Sequence, residues 1–299
     1  MYPRQCVKNM RNYNHRQTDG KFSRFLDHNN TYFSKITTAI QAYWLGFLMG
    51  DGWIQAARPD MGCESKDHEH MHKLKMEIGG SSRELKLIAA RNQSSSSTTK
   101  FGIYDEQLVS DLINLGLIAG KGKSKGCEVQ LEKIPKQFHR DFWRGLFDAD
   151  GSLMPYVAKE KSRKGGQSRI ELKGSKSNID LFIDEIRRFG FKGKAQNKPI
   201  ISKIGDEIGT QWLVATQGDP ICKKIIGWLY SNPCESLDRK QVQAEIIMSK
   251  EIIHHKFDHL FADGGDQKLK MEHGTWQGVA DFLGMSLQYV KNARKRARS

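Results

Sequence analysis

Two aspartates, Asp51 and Asp150, are the residues whose surroundings best suit them to chemistry. Residues 43–54 read Tyr-Trp-Leu-Gly-Phe-Leu-Met-Gly-Asp-Gly-Trp-Ile, and residues 142–153 read Phe-Trp-Arg-Gly-Leu-Phe-Asp-Ala-Asp-Gly-Ser-Leu. Both carry an aromatic, a Gly, an apolar pair, a small residue and then Asp-Gly. The two acids stand 150 − 51 = 99 residues apart, room for one compact unit per copy. A negative charge at a helix C-terminus is disfavoured by the helix dipole. Two such carboxylates close together would raise one pKa unless a cation neutralised them. Oxygen ligands with room for water suit Mg²⁺. The pattern therefore predicts a symmetric pair of metal-binding carboxylates.

The elements that must position this pair are two helices. Gly46 and Gly50 are four residues apart and share a helix face, and Gly145 and Ala149 repeat that arrangement. Gly costs about 1 kcal/mol in a helix interior, so two small residues on one face suit close approach of another backbone, here the other copy. Gly52 and Gly151 fit the left-handed position that ends a helix. A single copy would read as a buried helix ending in an Asp-Gly turn; the matched pair favours a functional reading.

Trp44–Gly52 and Trp143–Gly151 resemble the paired motifs of the LAGLIDADG homing endonuclease family in its single-chain form, and a weaker resemblance extends over about residues 40–245. It implies an α+β fold of two pseudo-symmetric αββαββα half-domains. Their antiparallel sheets form a saddle over double-stranded DNA. By position, Asp51 and Asp150 would each bind divalent metal and help hydrolyse one strand, with Gly50 and Ala149 in the same metal site and two or three Mg²⁺ ions as cofactors. Met49 stands where the second copy has Asp148, which leaves Asp148 as a helix-end polar residue. The resemblance also places a lysine beside the metals. Lys240, in Leu237-Asp238-Arg239-Lys240, matches it, and Lys123 is the weaker counterpart; both could equally be surface lysines. Such lysines could stabilise the developing phosphorane charge or orient water. The implied activity is that of a monomeric site-specific endonuclease making a staggered double-strand cut in a long asymmetric target, as in intron homing. The alternatives are a catalytically silent DNA-binding regulator and an RNA maturase with intron RNA as partner.

Composition agrees with a polyanionic partner. Lys plus Arg exceeds Asp plus Glu by 48 − 34 = 14, and the pI is near 9.5. No apolar run approaches a membrane span, and Met1–Cys6 lacks the apolar stretch of a signal peptide. Five cysteines without a CxxC pattern read as reduced thiols of an intracellular, cytoplasmic protein.

Along the chain, residues 1–35 form a basic extension, either a DNA-contacting arm or a solvated tail. The first half-domain is expected over 36–133 and the second over 134–250. Expected strands are Trp53–Ala57, Glu84–Ala90, Lys100–Tyr104, Leu153–Ala158, Arg169–Lys173, Lys192–Ile201 and Gln211–Thr216. Expected helices follow the motifs at Asp67–Ile78, Asp105–Leu115, Ser175–Phe189 and Asp219–Tyr230. Pro135 fits the first turn of the second motif helix. A polar sheet face carrying Gln55, Arg169, Lys173, Lys194, Gln196 and Lys198 could read groove edges and phosphates, or could simply be solvated.

Residues 251–299 read as a separate module. In the window Trp276–Lys295, Ala280, Gly284 and Val290 hold the spacing of a helix-turn-helix, with Thr275 and Ser286 as N-caps. Its second helix would offer Gln288, Lys291, Asn292 and Arg294 to DNA; a basic helix without groove insertion is the alternative. Two patterns are set aside. His68-Glu69-His70-Met71-His72 matches HExxH without a clear third ligand, so its histidines read as polar surface. Gly120–Ser124 lacks the first Gly and the preceding strand of a phosphate loop.

Overall fold

The computed structural model describes residues 28–79, 84–90, 97–120, 127–155, 167–201, 207–249, 258–262 and 264–297. Most of the basic extension, Lys123 and Arg298 lie outside the described residues. The chain divides into two compact units, Met1–Met248 and Ser249–Ser299. Mixed α/β structure is observed, with ten α-helices and two four-stranded antiparallel sheets among the described residues. No described helix is long and apolar enough to cross a membrane.

The first unit opens with α1 (Ala39–Asp51), β1 (Gly52–Ile54), β2 (Asp60–Ser65), α2 (His68–Ile78), β3 (Lys86–Ile88), β4 (Thr98–Tyr104) and α3 (Glu106–Asn114). The order then recurs as α4 (His139–Asp150), β5 (Gly151–Met154), β6 (Arg169–Gly174), α5 (Lys176–Arg187), β7 (Gln196–Ile201), β8 (Glu207–Gln217) and α6 (Asp219–Tyr230), followed by α7 (Asp238–Ser249). The sheets run β1-β2-β4-β3 and β5-β6-β8-β7, the same order in each. Strict alternation in β4 explains how each sheet sits. Thr99, Phe101 and Ile103 are buried, while Thr98, Lys100 and Tyr104 are half-exposed on the opposite face.

Several expectations shift. The strand Asp60–Ser65 was not foreseen; at its Gly62 a Cβ would fall on the Phe101 carbonyl oxygen and the Trp53 ring. Pro135 precedes a short 3₁₀ turn, Lys136–Phe138, and the α-helix starts only at His139. Tyr32 and Phe33, assigned to the solvated or DNA-contacting extension, are core residues beside Ile36 of the first half-domain, since the aromatics supply apolar area that outweighs the basic neighbours.

The second unit holds a 3₁₀ turn (Asp258–Phe261), α8 (Gly265–His273), α9 (Trp276–Phe282) and α10 (Leu287–Ala297) around Phe261, Val279, Ala280, Tyr289, Val290 and Ala293. Thr275 and Ser286 cap α9 and α10 by accepting from Gly278 N at 3.0 Å and Tyr289 N at 3.1 Å. Gly284 turns the chain between these helices at φ +64°, where a side chain would be strained.

Candidate active site

The site starts with the crossing of α1 and α4. A Cβ on Gly46 would fall on the Phe142 carbonyl oxygen and within 2.8 Å of Leu146 N. One on Gly145 would fall on the Tyr43 carbonyl oxygen and within 2.9 Å of Phe47 N. The backbones therefore touch, and any larger residue would force the helices apart. One turn on, a Cβ on Gly50 would meet the Ala149 Cβ and come within 3.2 Å of an Asp150 carboxylate oxygen. The acid of α4 thus stands against the last turn of α1.

Both helices end at their aspartate, but not in the manner expected. Gly52 (φ −77°, ψ 165°) and Gly151 (φ −85°, ψ 164°) are extended, not left-handed. Glycine is needed for space: each amide bonds back to Leu48 O or Phe147 O, and a Cβ would collide with that same carbonyl. Each chain passes straight from helix into the first strand of its sheet, so Asp51 and Asp150 sit where the helices meet the sheets.

Lys240, reached from α7, is buried at 2% exposure. Its Nζ donates to Phe147 O and Asp148 O at 2.6 Å each and to Gly151 O at 2.8 Å. The ammonium caps the α4 C-terminus, where a cation is favoured. Burial pushes its pKa down to about 8, helped by the neighbouring Arg239, while Asp148, Asp51 and Asp150 pull the other way. Both acids thus act on one ammonium. With three protons on three carbonyls, Lys240 holds the helix end that carries Asp150; it does not present a free ammonium to a phosphate. The surface-lysine alternative does not apply.

Asp148 stands at the helix end as expected, but buried and fully partnered. The carboxylate is 1% exposed and accepts from Tyr43 Oη at 2.8 Å, Tyr230 Oη at 2.5 Å and Leu237 N at 2.8 Å. Burial raises its pKa, against the opposing pull of Lys240 and those three bonds. Tyr43 Oη also meets His70 Nε2 at 2.8 Å. His70, read as polar surface, is 3% exposed, and burial with the Lys73 charge lowers its pKa to about 4. The apolar faces of Trp44, Phe47 and Tyr43 enclose its ring, which explains the burial of a residue with exposed neighbours, Glu69 and His72.

On the second sheet, Lys173 and Gln196 both pair with Leu213, and Lys198 pairs with Gln211. With Arg169 four residues before Lys173, these side chains share the face turned away from the core. Glu171 lies between Arg169 (2.8 Å) and Lys173 (3.5 Å) and offsets part of their charge. Lys194 is exposed just before β7. On the first sheet, Gln55 accepts from Arg58. Lys86 and Lys100, which the sequence reading did not single out, pair on the open face, and Lys100 lies 4.8 Å over the Trp53 ring. The alternation of Lys100, Gly102 and Tyr104 against Phe101 and Ile103 was the available signal.

In the second unit, Gln288, Lys291 and Asn292 are exposed on α10, with Gln288 Nε2 donating to Asn292 Oδ1 at 3.0 Å. The Arg294 guanidinium lies 3.7 Å over the Trp276 ring and binds buried Asp266 at 3.1 Å, so it ties α8, α9 and α10 together.

No protein-family profile matches the chain, and no curated protein matches it. Among solved structures, the I-LtrWI LAGLIDADG homing endonuclease bound to target DNA aligns at 13% identity over 80% of this chain and 96% of that one, with a TM-score of 0.41. The LAGLIDADG homing endonuclease I-GzeII in complex with its DNA target aligns at 10% identity over 78% and 96%, at 0.44. Full-length DUF199/WhiA from Thermatoga maritima aligns at 12% identity over 93% and 92%, at 0.39. Similarity at this level carries no weight on activity.

Proposed function

We propose that the chain is a metal-dependent endonuclease of double-stranded DNA, with Asp51 and Asp150 as the metal-holding acids of a pseudo-symmetric site. The observation that carries this is the crossing of α1 and α4, where glycine and alanine let the Asp150 carboxylate stand beside the end of the other helix. Each acid leads into its own sheet, so each half would serve one strand.

The donor set suits Mg²⁺. It would consist of the two carboxylates, with Gly50 and Ala149 beside them as the resemblance implies, and among the described residues no group of three or more His, Cys, Asp or Glu could hold a metal. Mg²⁺ is held through one or two carboxylates and keeps waters and substrate phosphate for the rest, whereas structural Zn²⁺ demands four protein ligands. When bound, Mg²⁺ supplies Lewis-acid stabilisation of the charge on the attacking and leaving oxygens. The chain's own residues do the positioning. Asp51 and Asp150, at the two helix ends, would hold the cations. Lys240 keeps the end of α4 from fraying. Lys86, Lys100, Arg169, Lys173, Gln196 and Lys198 on the open sheet faces meet phosphates and groove edges. The second unit adds affinity at a flanking site through Gln288, Lys291 and Asn292, in helix-turn-helix manner.

The test is plasmid cutting, with the DNA that flanks the gene rejoined as target. Wild type should linearise it in Mg²⁺. Asp51→Asn and Asp150→Asn should each abolish double-strand cutting while binding in Ca²⁺ persists. If both variants still linearise the plasmid, the assignment of the acids is wrong. If wild type binds in Ca²⁺ yet never cuts, the protein is a DNA-binding regulator on this scaffold.

A further inference from the structure

A cavity of about 830 Å³ opens at the other end of α4, where the 3₁₀ turn and the helix start meet the C-terminal end of α5 and the face of α6. Its walls carry Lys136, Arg140 and Arg188 together with the rings of Phe189 and Trp228. The 12 residues of α4 separate it from Asp150 by about 16 Å. A duplex held by the two acids does not account for it.

The chemistry of the lining is specific in two ways. Three cations line it with one carboxylate, Glu185, which is itself engaged by His139 at 3.4 Å and Arg188 at 3.6 Å, while Arg140 also reaches Ser231 O at 3.4 Å and the buried Asp141 carboxylate at 3.9 Å. The surplus is positive and suits phosphate. Beside the cations stand two half-buried rings, Phe189 and Trp228, tilted at 44° to one another, with the exposed Arg188 guanidinium lying against both. The Phe189 and Trp228 centroids are 5.7 Å apart, and the Arg188 guanidinium lies 5.0 Å and 4.7 Å over them. All three groups offer planar surfaces on which a base can stack, and base-aromatic stacking is the means by which single strands are held without sequence preference. A duplex keeps its base faces inside and leaves such surfaces idle. An acidic peptide would use the cations but not the rings.

We propose that this cavity is a second nucleic-acid site, which takes a short single-stranded stretch with phosphates on Lys136, Arg140 and Arg188 and a base stacked against the Arg188, Trp228 and Phe189 group. The proposal goes beyond the endonuclease reading and stands or falls separately, because binding here involves no cutting.

Fluorescence anisotropy of the full chain with labelled single-stranded octamers, one of RNA and one of DNA, tests it. Both variants suited to the test, Arg188→Ala and Lys136→Ala, alter exposed side chains. Each should weaken octamer binding by about tenfold, the scale of one lost stacking or charge contact, with plasmid binding and cutting unchanged. Excess unlabelled duplex should fail to displace the octamer. The ratio of RNA to DNA affinity then names the strand chemistry. Equal octamer binding by wild type and both variants, displacement by duplex, or tighter binding of polyglutamate than of either octamer overturns the proposal.

Discussion

The layer immediately inside Asp51 differs from the layer inside Asp150. At corresponding positions of the two motif helices, Tyr43 faces Phe142, Leu45 faces Arg144 and Met49 faces Asp148; at the third residue of the following helix, His70 faces Asn178. One layer is a buried polar chain from His70 through Tyr43 to Asp148. In the other, Met49 is a buried core residue that accepts from the Asn178 amide, at 3.5 Å from Nδ2 to Sδ. The buried Arg144 guanidinium binds Leu229 O, Glu235 O and Asp141, where the first copy has an apolar Leu45. The backbone pattern is shared, but the interior is not. Because Asp148 takes a hydroxyl from across the crossing, each half completes the other, and neither could be replaced by a second copy of itself without stranding buried polar groups.

The sharpest way to break the comparison is at the glycines, where the halves do agree. Gly46→Ala or Gly145→Ala drives a methyl into a carbonyl of the opposing backbone, which cannot rotate away. Each should lose roughly 3 kcal/mol or more, despite the gain in helix propensity. Gly50→Ala meets a side chain instead, the Ala149 methyl. The double variant Gly50→Ala/Ala149→Gly should therefore return to within about 1 kcal/mol of wild type. Denaturant melts read all four; a Gly145→Ala protein as stable as wild type would mean that the helices do not touch.

Asp148→Met copies the first motif into the second. It strands the Tyr43 and Tyr230 hydroxyls and Leu237 N together, so a loss of roughly 3 kcal/mol is expected in the same melts. The converse, Met49→Asp, buries a carboxylate with only the Asn178 amide as a donor and should be at least as costly. If Asp148→Met is neutral, the polar chain does not organise the crossing.

What the sequence revealed follows from how far apart the interacting residues are. The motif helices, the Thr275 and Ser286 caps and the Ala280–Gly284–Val290 spacing are local, so periodicity and cap chemistry exposed them. Asp148 could not be read this way, because its donors come from residues 43, 230 and 237, each distant in sequence. Arg294 looked like a surface cation because Asp266, its partner, lies 28 residues earlier. The ends of α1 and α4 were located correctly but for the wrong reason: Gly52 and Gly151 answer to a carbonyl contact that no single-residue preference encodes. In strand Asp60–Ser65 the glycine answers to the Phe101 carbonyl and the Trp53 ring, packing partners from other strands and not a turn.

Lys240 separates the halves in rate instead of stability. It grips the α4 end that carries Asp150, so under the endonuclease proposal Lys240→Met should slow the strand assigned to Asp150 more than the other, and nicked plasmid should accumulate. The pH dependence has a definite sign. As pH rises through about 8 the folded lysine loses a proton, leaving two N–H groups for three carbonyls, and the second strand's rate should fall. Global stability should move the opposite way. The unfolded lysine stays protonated to about 10.5, so between those values the unfolded state binds the extra proton and stability rises with pH. Equal loss on both strands would place Lys240 at a shared step.

The smallest change makes the first layer resemble the second at one atom. Tyr43→Phe removes the hydroxyl between His70 and Asp148, at a cost of about 1 kcal/mol, since Asp148 keeps Tyr230 and Leu237 N while His70 Nε2 loses its only bond here. Adding His70→Asn reproduces the Phe142–Asn178 pairing, so the double variant should lie closer to wild type than the sum of its parts. Acid supplies the second readout. The folded His70 pKa is near 4, below the 6.5 of the unfolded chain, so its contribution is whole above pH 6.5 and is lost as pH falls toward 4. Asp148, with a raised pKa, works in the opposite direction, and only the difference between wild type and His70→Asn isolates the histidine. That difference should shrink from pH 7 to pH 5 in urea melts; a constant difference would mean that His70 is not held neutral at the crossing.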